Sequence, residues 1–239
     1  MQMINVTNLT KEYRDFRLNR ISFNLEPGKI AGFIGVNGSG KTTTIRLLLN
    51  LAKADAGKIK IFDKDINVSE KEIKNHIGVV MDDGYFFQKL SIDDMKGIIA
   101  PAYTDWSDKV FYAYLDRFEL SRKQKIESLS KGMKMKFALA IALSHNADLL
   151  ILDEPSSGLD PLVRSELNNI LLEFVSNGEN SAFLSTHITS DLDKIADEII
   201  FLDKGNLVFQ RSKAALLEEN AGYTNIEEIM IDYLEGKRK

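Results

Sequence analysis

The chain carries two kinds of hydrophobic pattern, one typical of strands and the other of helices. Residues 4–9 and 21–25 alternate apolar and polar positions, as half-exposed strands do. Residues 77–81 are continuously apolar and largely β-branched, which is typical of strands buried in a parallel sheet. In total, strands are predicted at residues 4–9, 21–25, 29–34, 58–62, 77–81, 149–152, 182–185, 198–202 and 207–210.

Helical periodicity accounts for much of the remaining chain. It predicts helices at residues 42–51, 93–100, 110–120, 133–144, 161–175, 190–196 and 226–239. Within one of them, Phe111, Tyr114, Leu115 and Phe118 share a face, which predicts that this face packs in a core. Strands that alternate with helices imply a parallel sheet covered on both faces. Three consecutive helices interrupt this alternation, so we interpret them as a helical insertion.

These patterns predict a single domain with three parts. An α/β core comprises residues 1–84 and 147–212, and antiparallel strands are expected at its beginning. A helical subdomain occupies residues 85–146, and a helical tail occupies residues 213–239.

The clearest chemical signal is the run Gly35-Val36-Asn37-Gly38-Ser39-Gly40-Lys41-Thr42-Thr43, a phosphate-binding P-loop. It lies between a predicted strand and a predicted helix, so backbone N–H groups and a helix N-terminus can surround a phosphate. Lys41 can reach the β- and γ-phosphates, and the Thr42 hydroxyl can ligate Mg²⁺. The chain is therefore predicted to bind a nucleoside triphosphate through Gly35, Asn37, Gly38, Ser39, Gly40, Lys41, Thr42 and Thr43.

A second signal is the pair of carboxylates, Asp153 and Glu154, that follows the apolar strand at residues 149–152. Ligands gather at the carboxyl ends of parallel strands, so both carboxylates are expected beside the P-loop. Asp153 is predicted to hold Mg²⁺, and Glu154 is predicted to activate the attacking water. His76 and His145 lie in no motif, and a structural role is predicted for both.

The composition excludes some classes of function but does not identify the function. Hydrophobic residues make up 44% of the chain and charged residues 28%, which is typical of a folded globular protein. A net charge of −4 gives no sign of a nucleic-acid-binding surface, and the absence of cysteine rules out disulfides and thiol chemistry. With neither a signal peptide nor a membrane span in the sequence, we expect a cytoplasmic protein that reaches a membrane only through a partner.

Four motifs in order resemble those of the ATP-binding-cassette (ABC) ATPases. They are the P-loop, Leu152-Asp153-Glu154-Pro155, Ser157-Gly158-Leu159-Asp160 and Ser185-Thr186-His187. Within that family, Leu129-Ser130-Lys131-Gly132-Met133-Lys134-Met135-Lys136 and the run after His187 resemble the ATPase subunits of bacterial ABC-2-type exporters. The resemblance implies a RecA-like P-loop NTPase core with a mainly parallel sheet, an N-terminal antiparallel β-subdomain and an inserted α-helical subdomain.

The resemblance also implies roles for residues that spacing leaves open. Ser130, Lys131 and Gly132 stand in the signature motif, which caps the γ-phosphate bound by a second subunit. Without the resemblance to the family, Ser130 is interpreted simply as a helix N-cap. Tyr13 stands where the family places a ring that stacks on adenine, the alternative being a surface tyrosine in a polar loop.

Three further positions follow from the same resemblance. His187 is expected to contact the γ-phosphate, and Asp160 is expected to face the dimer partner and link the two sites. Asp82 stands at the position of the family's Q-loop glutamine, where a carboxylate can hold Mg²⁺ or its water but cannot donate as an amide does. Asp82, Lys131 and Met133 are departures from the family pattern.

Together these features predict a subunit that binds and hydrolyses ATP with Mg²⁺, forms a homodimer or heterodimer of cassettes, and drives a membrane permease, as an exporter. It is expected at the inner face of the cell membrane, without a nucleic-acid partner. Two alternatives stay open. One is a non-transport ABC switch that acts on a soluble partner. The other is a cassette that binds ATP without hydrolysing it, which Asp82 and the altered signature keep open.

Overall fold

The computed structural model describes residues 1–81 and 85–236. The strands in these residues, β1 to β10 in chain order, are Ile4–Tyr13, Phe16–Leu25, Ile30–Ile34, Ala56–Ile61, Lys64–Asp65, Ile77–Val80, Leu149–Asp153, Ser181–Thr186, Glu198–Asp203 and Asn206–Ser212. The helices, α1 to α9, are Lys41–Leu48, Glu70–Asn75, Ile92–Ile99, Asp108–Arg117, Lys131–Ala142, Pro161–Val175, Thr189–Ile195, Lys213–Glu219 and Ile226–Leu234.

The described strands form two sheets. One is antiparallel, with the order β2-β1-β4-β5, and the other has the order β10-β9-β3-β8-β7-β6. In the second sheet neighbouring strands are parallel, except that β10 runs antiparallel to β9. Strands β3, β7 and β8 are buried at every residue, which explains the continuous apolar runs at residues 30–34, 149–152 and 182–184. An α/β fold with a mainly parallel sheet and an N-terminal antiparallel sheet is therefore confirmed.

Two hydrophobic clusters cover opposite faces of the parallel sheet. Alternate strand residues point to opposite faces, so Leu150 and Leu184 join one cluster while Ile151 and Phe183 join the other. The first cluster includes helices α3 to α5 and α7, and the second includes α1 and the antiparallel sheet. The aromatic helix face predicted to be core lies in the first cluster, where Phe111, Leu115 and Phe118 are buried and Tyr114 is partly buried.

Polar side chains mark where many of the helices begin. The side chains of Ser91, Ser107, Ser130, Ser212 and Asn225 each accept a hydrogen bond from a backbone N–H in the first turn of the helix that follows. Such N-caps satisfy donors that would otherwise lack partners and fix the first residue of the helix. No helix in residues 1–81 and 85–236 combines the length and the apolar character needed to cross a bilayer.

Each predicted strand and helix is present, but the N-terminal strands are longer than predicted. Strand β1 extends to Tyr13, so the alternative that places Tyr13 in a polar loop is wrong: this residue ends a strand and precedes a two-residue turn. The hydrophobic alternation ends before the strand does, because the pairing of β1 shifts register around Asn8, whose φ of 49° is left-handed. As a result, Leu9 and Thr10 are both buried, although they are adjacent in sequence.

Helix α2 and strand β5 are not predicted by the hydrophobic pattern. Helix α2 has six residues, and Ile73 is the buried one among them, so it carries no helical periodicity to detect. Strand β5 has only two residues.

His145 packs at the junction between α2, the loop after α3 and the loop before β7. Its ring stacks on Tyr103 with a centroid distance of 3.8 Å, and its Nδ1 lies 3.1 Å from the carbonyl oxygen of Asn75. Burial lowers the pKa of His145 below its ordinary value. The second histidine without a motif is His76, and its Nδ1 lies 2.9 Å from Asp148 Oδ2.

We expect His145 to make the fold sensitive to acid. Because the pKa of His145 is lower in the folded state than in the unfolded chain, its contribution to stability is present above about pH 6.5 and is lost as the pH falls. The Tm of the wild type should therefore fall more steeply between about pH 7 and about pH 5 than the Tm of His145→Phe, which keeps the ring stack. Parallel Tm curves for the two proteins would contradict this.

Candidate functional site

The P-loop, residues 35–40, connects strand β3 to helix α1 and has a backbone that requires glycine. Gly38 and Gly40 adopt left-handed φ values of 78° and 115°. A Cβ at Gly40 would lie 2.7 Å from Phe16 Cζ, and one at Gly35 would lie 2.3 Å from the carbonyl oxygen of Leu202. Side chains at these positions would disrupt the packing, so glycine is needed for space as well as for backbone freedom. The loop therefore delivers the free N–H groups at the start of α1 to one point, as an anion site does.

Lys41 is the first residue of α1 and lies across the loop. Its side chain is buried, and its Nζ donates to the carbonyl oxygen of Gly35 at 2.8 Å. The same Nζ lies 3.3 Å from Glu154 Oε1. The P-loop and the acidic strand end are thus in direct contact, as predicted.

The two carboxylates at the end of β7 have different surroundings. Asp153 is buried, and its Oδ1 accepts a hydrogen bond of 2.6 Å from Ser185 Oγ on the neighbouring strand β8. Glu154 has a left-handed φ of 48°, and its backbone N–H donates to Ser185 Oγ at 3.1 Å. Ser185 therefore holds both residues at the end of β7. Ser185 belongs to a sequence motif, but no spacing in the sequence relates it to Asp153 or Glu154.

Glu154 joins the P-loop to the residue that follows β8. While one of its oxygens faces Lys41, the other, Oε2, lies 2.7 Å from His187 Nδ1 and accepts from the His187 backbone N–H at 3.3 Å. The His187 side chain is about half exposed. Three residues that are far apart in sequence, Lys41, Glu154 and His187, therefore converge at one point.

An open cleft of about 730 Å³ lies over this point. It is lined by Tyr13, Asp15, Phe16, Asn37, Gly38, Gly40, Lys41, Thr42, Thr43, Glu154, Ser157 and His187. Tyr13 is 45% exposed, so its ring is available to a planar ligand at the rim. Asp15, Phe16 and Ser157 are lining residues to which the sequence analysis assigned no role; the two-residue turn after Tyr13 brings the first two to the rim. Ser39 is buried in the loop beneath the cleft.

The predicted signature residues do not line this cleft within the described part of the chain. Ser130 is the N-cap of α5 and accepts from the Met133 backbone N–H at 3.2 Å, so the N-cap interpretation is correct. Lys131 lies beside the loop after Glu154, since a Cβ at Gly158 would lie 3.5 Å from its Cδ. Gly132 is the second residue of α5 and faces Val163 on α6.

Asp160 begins helix α6. Its Oδ1 accepts from the backbone N–H groups of Leu162 and Val163 at 3.0 and 3.1 Å. The next apolar residue, Leu162, is 83% exposed, although leucine side chains are usually buried. The predicted metal ligand Asp82 lies outside the described residues.

Known proteins are similar to this chain in sequence and in fold. The family model "ABC transporter" matches residues 18–157. The bacitracin transport ATP-binding protein BcrA of Bacillus licheniformis is 32% identical over 228 residues, which cover 94% of this chain and 74% of that protein. The lantibiotic transport ATP-binding protein SrtF of Streptococcus pyogenes is 31% identical over 95% of both chains.

Solved structures share the fold. One described as the ATP-binding subunit of an ABC transporter superposes with a TM-score of 0.86 at 23% identity, over 96% of this chain and 98% of that one. A dimeric ATP-binding cassette, MJ0796, bound to ADP and Pi superposes with a TM-score of 0.78 at 21% identity, over 88% of this chain and 98% of that one.

We expect Ser185→Ala to weaken both stability and turnover. The change removes a donor from the buried Asp153 carboxylate, which should cost about 1–3 kcal/mol of unfolding free energy, and it should lower nucleoside triphosphate hydrolysis by roughly tenfold. Ser181→Ala is the matched control, because Ser181 is equally buried in β8 but donates to the Glu26 carbonyl oxygen at the opposite end of the strand. Denaturant unfolding and phosphate release measure the two effects. Equal losses of turnover in both variants would remove Ser185 from the site.

Proposed function

The chain belongs to the ABC transporter family, and we propose that it powers an exporter by hydrolysing ATP between two cassettes with Glu154 as the general base. It is an ATP-binding, ATP-hydrolysing transport subunit by its family. The finer assignment rests on one observation: Glu154 lies 3.3 Å from Lys41 Nζ and 2.7 Å from His187 Nδ1 at the mouth of the P-loop.

Nucleotide binding is assigned to the two ends of the cleft. The P-loop N–H groups and Lys41 bind the phosphates, because the loop directs donors and a cation to one point. Tyr13 stacks on the adenine at the other end, where its exposed ring lines the cleft. An aromatic face binds a flat base mainly through its shape, so we expect Tyr13 to contribute affinity rather than strong discrimination between purines.

Hydrolysis is assigned to Glu154 and His187. A water oxygen forms a bond to the γ-phosphorus, the bond from that phosphorus to its bridging oxygen breaks, and the water proton passes to the Glu154 carboxylate. His187 holds Glu154 through its Nδ1 and backbone N–H, and its other ring nitrogen is assigned to the γ-phosphate. In this arrangement His187 orients the base and the phosphate together.

A magnesium site is assigned to Thr42 and Asp153. Both side chains supply oxygen atoms, the donors that Mg²⁺ prefers. Thr42 is the second residue of α1 and Asp153 is the last residue of β7, at the same edge of the sheet. Ser185 orients Asp153 by donating to its Oδ1. Magnesium, when bound, supplies positive charge to the phosphate oxygens. Asp82 is kept as a further proposed ligand.

Completion of the site is assigned to a second cassette, identical or related. Ser130 and Gly132 lie at the N-terminus of α5, and within the described part of the chain they lie outside their own cleft. They are therefore available to cap ATP held by a partner. Lys131 adds positive charge there. Asp160, at the exposed start of α6, is assigned to the contact that links the two sites. The solved dimeric cassette with ADP and Pi shows that the same fold can assemble in pairs.

Replacement of the base provides the main test. Glu154→Gln removes the proton acceptor but keeps the shape of the side chain, so ATP turnover should fall at least ~100-fold. Glu173→Gln, which makes the same substitution at an exposed residue of α6, should leave turnover unchanged. Phosphate release under saturating ATP measures both.

The same variant tests the two-cassette model. With hydrolysis blocked, Glu154→Gln in ATP should elute from a sizing column as a dimer, and without ATP as a monomer. A monomer over a wide range of concentrations would contradict the model. An unchanged turnover of Glu154→Gln would remove this residue from the role of base.

A membrane partner is the last part of the proposal. Two of its relatives are a bacitracin and a lantibiotic transport ATP-binding protein, which supports a permease that this subunit drives, with the protein at the cytoplasmic face of the membrane. Affinity purification from solubilised membranes should recover a polytopic membrane protein with this chain in stoichiometric amount. Recovery with ribosomes instead would favour a soluble switch.

A further inference from the structure

Helices α6 and α7 connect two functional segments of the proposed site. Helix α6 begins at Asp160, in the loop that follows Glu154, and helix α7 begins at Thr189, two residues after His187. The two helices pack against each other, so their relative position determines how the loop with Asp160 and the loop with His187 are spaced.

One ion pair joins these helices. Arg164, on the first turn of α6, has its Nη1 4.0 Å from Oδ1 of Asp191, on the first turn of α7. The Asp191 side chain is only 6% exposed, and no second cation within the described residues pairs with it. A buried carboxylate needs such a partner, because water does not solvate its charge.

The contact is incomplete in this arrangement. Asp191 Oδ2 and Arg164 Nε are both buried and have no hydrogen-bond partner among residues 1–81 and 85–236. A charge-assisted hydrogen bond between such groups has a length of about 2.8 Å. A shift of about 1 Å between α6 and α7 would therefore convert the pair at 4.0 Å into a bonded one, with the geometry that an arginine fork and a carboxylate favour.

Two further hydrogen bonds of α7 lie in its second half. They attach this half to the C-terminal segment, since Asp193 Oδ1 accepts from the Ile226 backbone N–H and the Asp193 carbonyl oxygen accepts from Lys213 Nζ, each at 3.1 Å. The middle of the helix lies directly on the central strand, where a Cβ at Gly32 would be 2.5 Å from Leu192 Cδ1. These contacts hold the helix around Leu192 and Asp193, and Arg164 contacts it closer to His187.

We propose that Arg164 and Asp191 are positioning residues that couple the loop containing Asp160 to His187, and so set the rate of ATP hydrolysis without contributing to ATP affinity. This inference rests on the proposed function. Neither residue lines the cleft over the P-loop, so any effect on catalysis must pass through the two helices. Closing the pair draws the start of α6 toward the loop that carries His187.

A double-mutant cycle tests the proposal. Arg164→Gln and Asp191→Asn should each lower kcat about tenfold, while the dissociation constant for a fluorescent ATP analogue stays within about twofold. The double variant should be no slower than the slower single variant, because each change already breaks the same contact. Arg164→Lys, which keeps the charge, should recover part of kcat.

A second ion pair on α6 provides the control. Arg117 Nη1 lies 3.0 Å from Glu173 Oε2 and joins α4 to the far end of α6, away from the cleft. Arg117→Gln and Glu173→Gln should leave kcat unchanged. Circular dichroism and the number of analogue molecules bound per chain give the folded fraction by which each kcat is normalised.

The outcomes separate this inference from the proposed function. If Glu154→Gln loses turnover while the Arg164 and Asp191 variants keep it, the positioning role is overturned and the ATPase assignment stands. Additive losses in the double variant, or a fall in Tm with an unchanged kcat per folded molecule, would also overturn it. If Glu154→Gln keeps full turnover, the failure lies in the proposed function.

Discussion

The arrangement of the site depends on the contacts that the Glu154 carboxylate makes. It faces Lys41 from the loop after β3 and His187 from the loop after β8, so it links three segments that are far apart in sequence. This is possible because β8 lies between β3 and β7 in the parallel sheet, and all three strands end at the same edge. A cation, a carboxylate and an imidazole therefore meet where the P-loop presents its N–H groups.

Close packing beneath the site keeps these strand ends in register. Phe23, Phe33 and Phe183 have ring centroids 5.2–5.8 Å apart and join the antiparallel sheet to the parallel one. Ser185 then adds a polar constraint at the strand end, where it pairs in register with Asp153. Aromatic packing holds the layers together, and the buried hydrogen bond orients the Asp153 carboxylate.

The pattern-based predictions succeeded where a segment carries its own periodicity and failed where it does not. Helix α6 begins and ends where predicted, because Pro161 follows an aspartate N-cap and the apolar positions repeat over fifteen residues. Strand β1 extends past its predicted end, since the bulge at Asn8 breaks the alternation that a pattern search follows. Helix α2 is too short to show a period, and its single buried residue, Ile73, is determined by the layer it packs on.

The sequence by itself determined the P-loop, the acidic strand end and the order of motifs that place the chain in its family. Each of these is a run of neighbouring residues whose chemistry depends on local backbone geometry, so spacing is enough to identify it. Only the tertiary structure decided the contacts across segments, such as those of Ser185 with Asp153, Glu154 with His187, and Arg164 with Asp191. Those pairs depend on strand order and helix packing, which bring together residues that no spacing in the sequence relates.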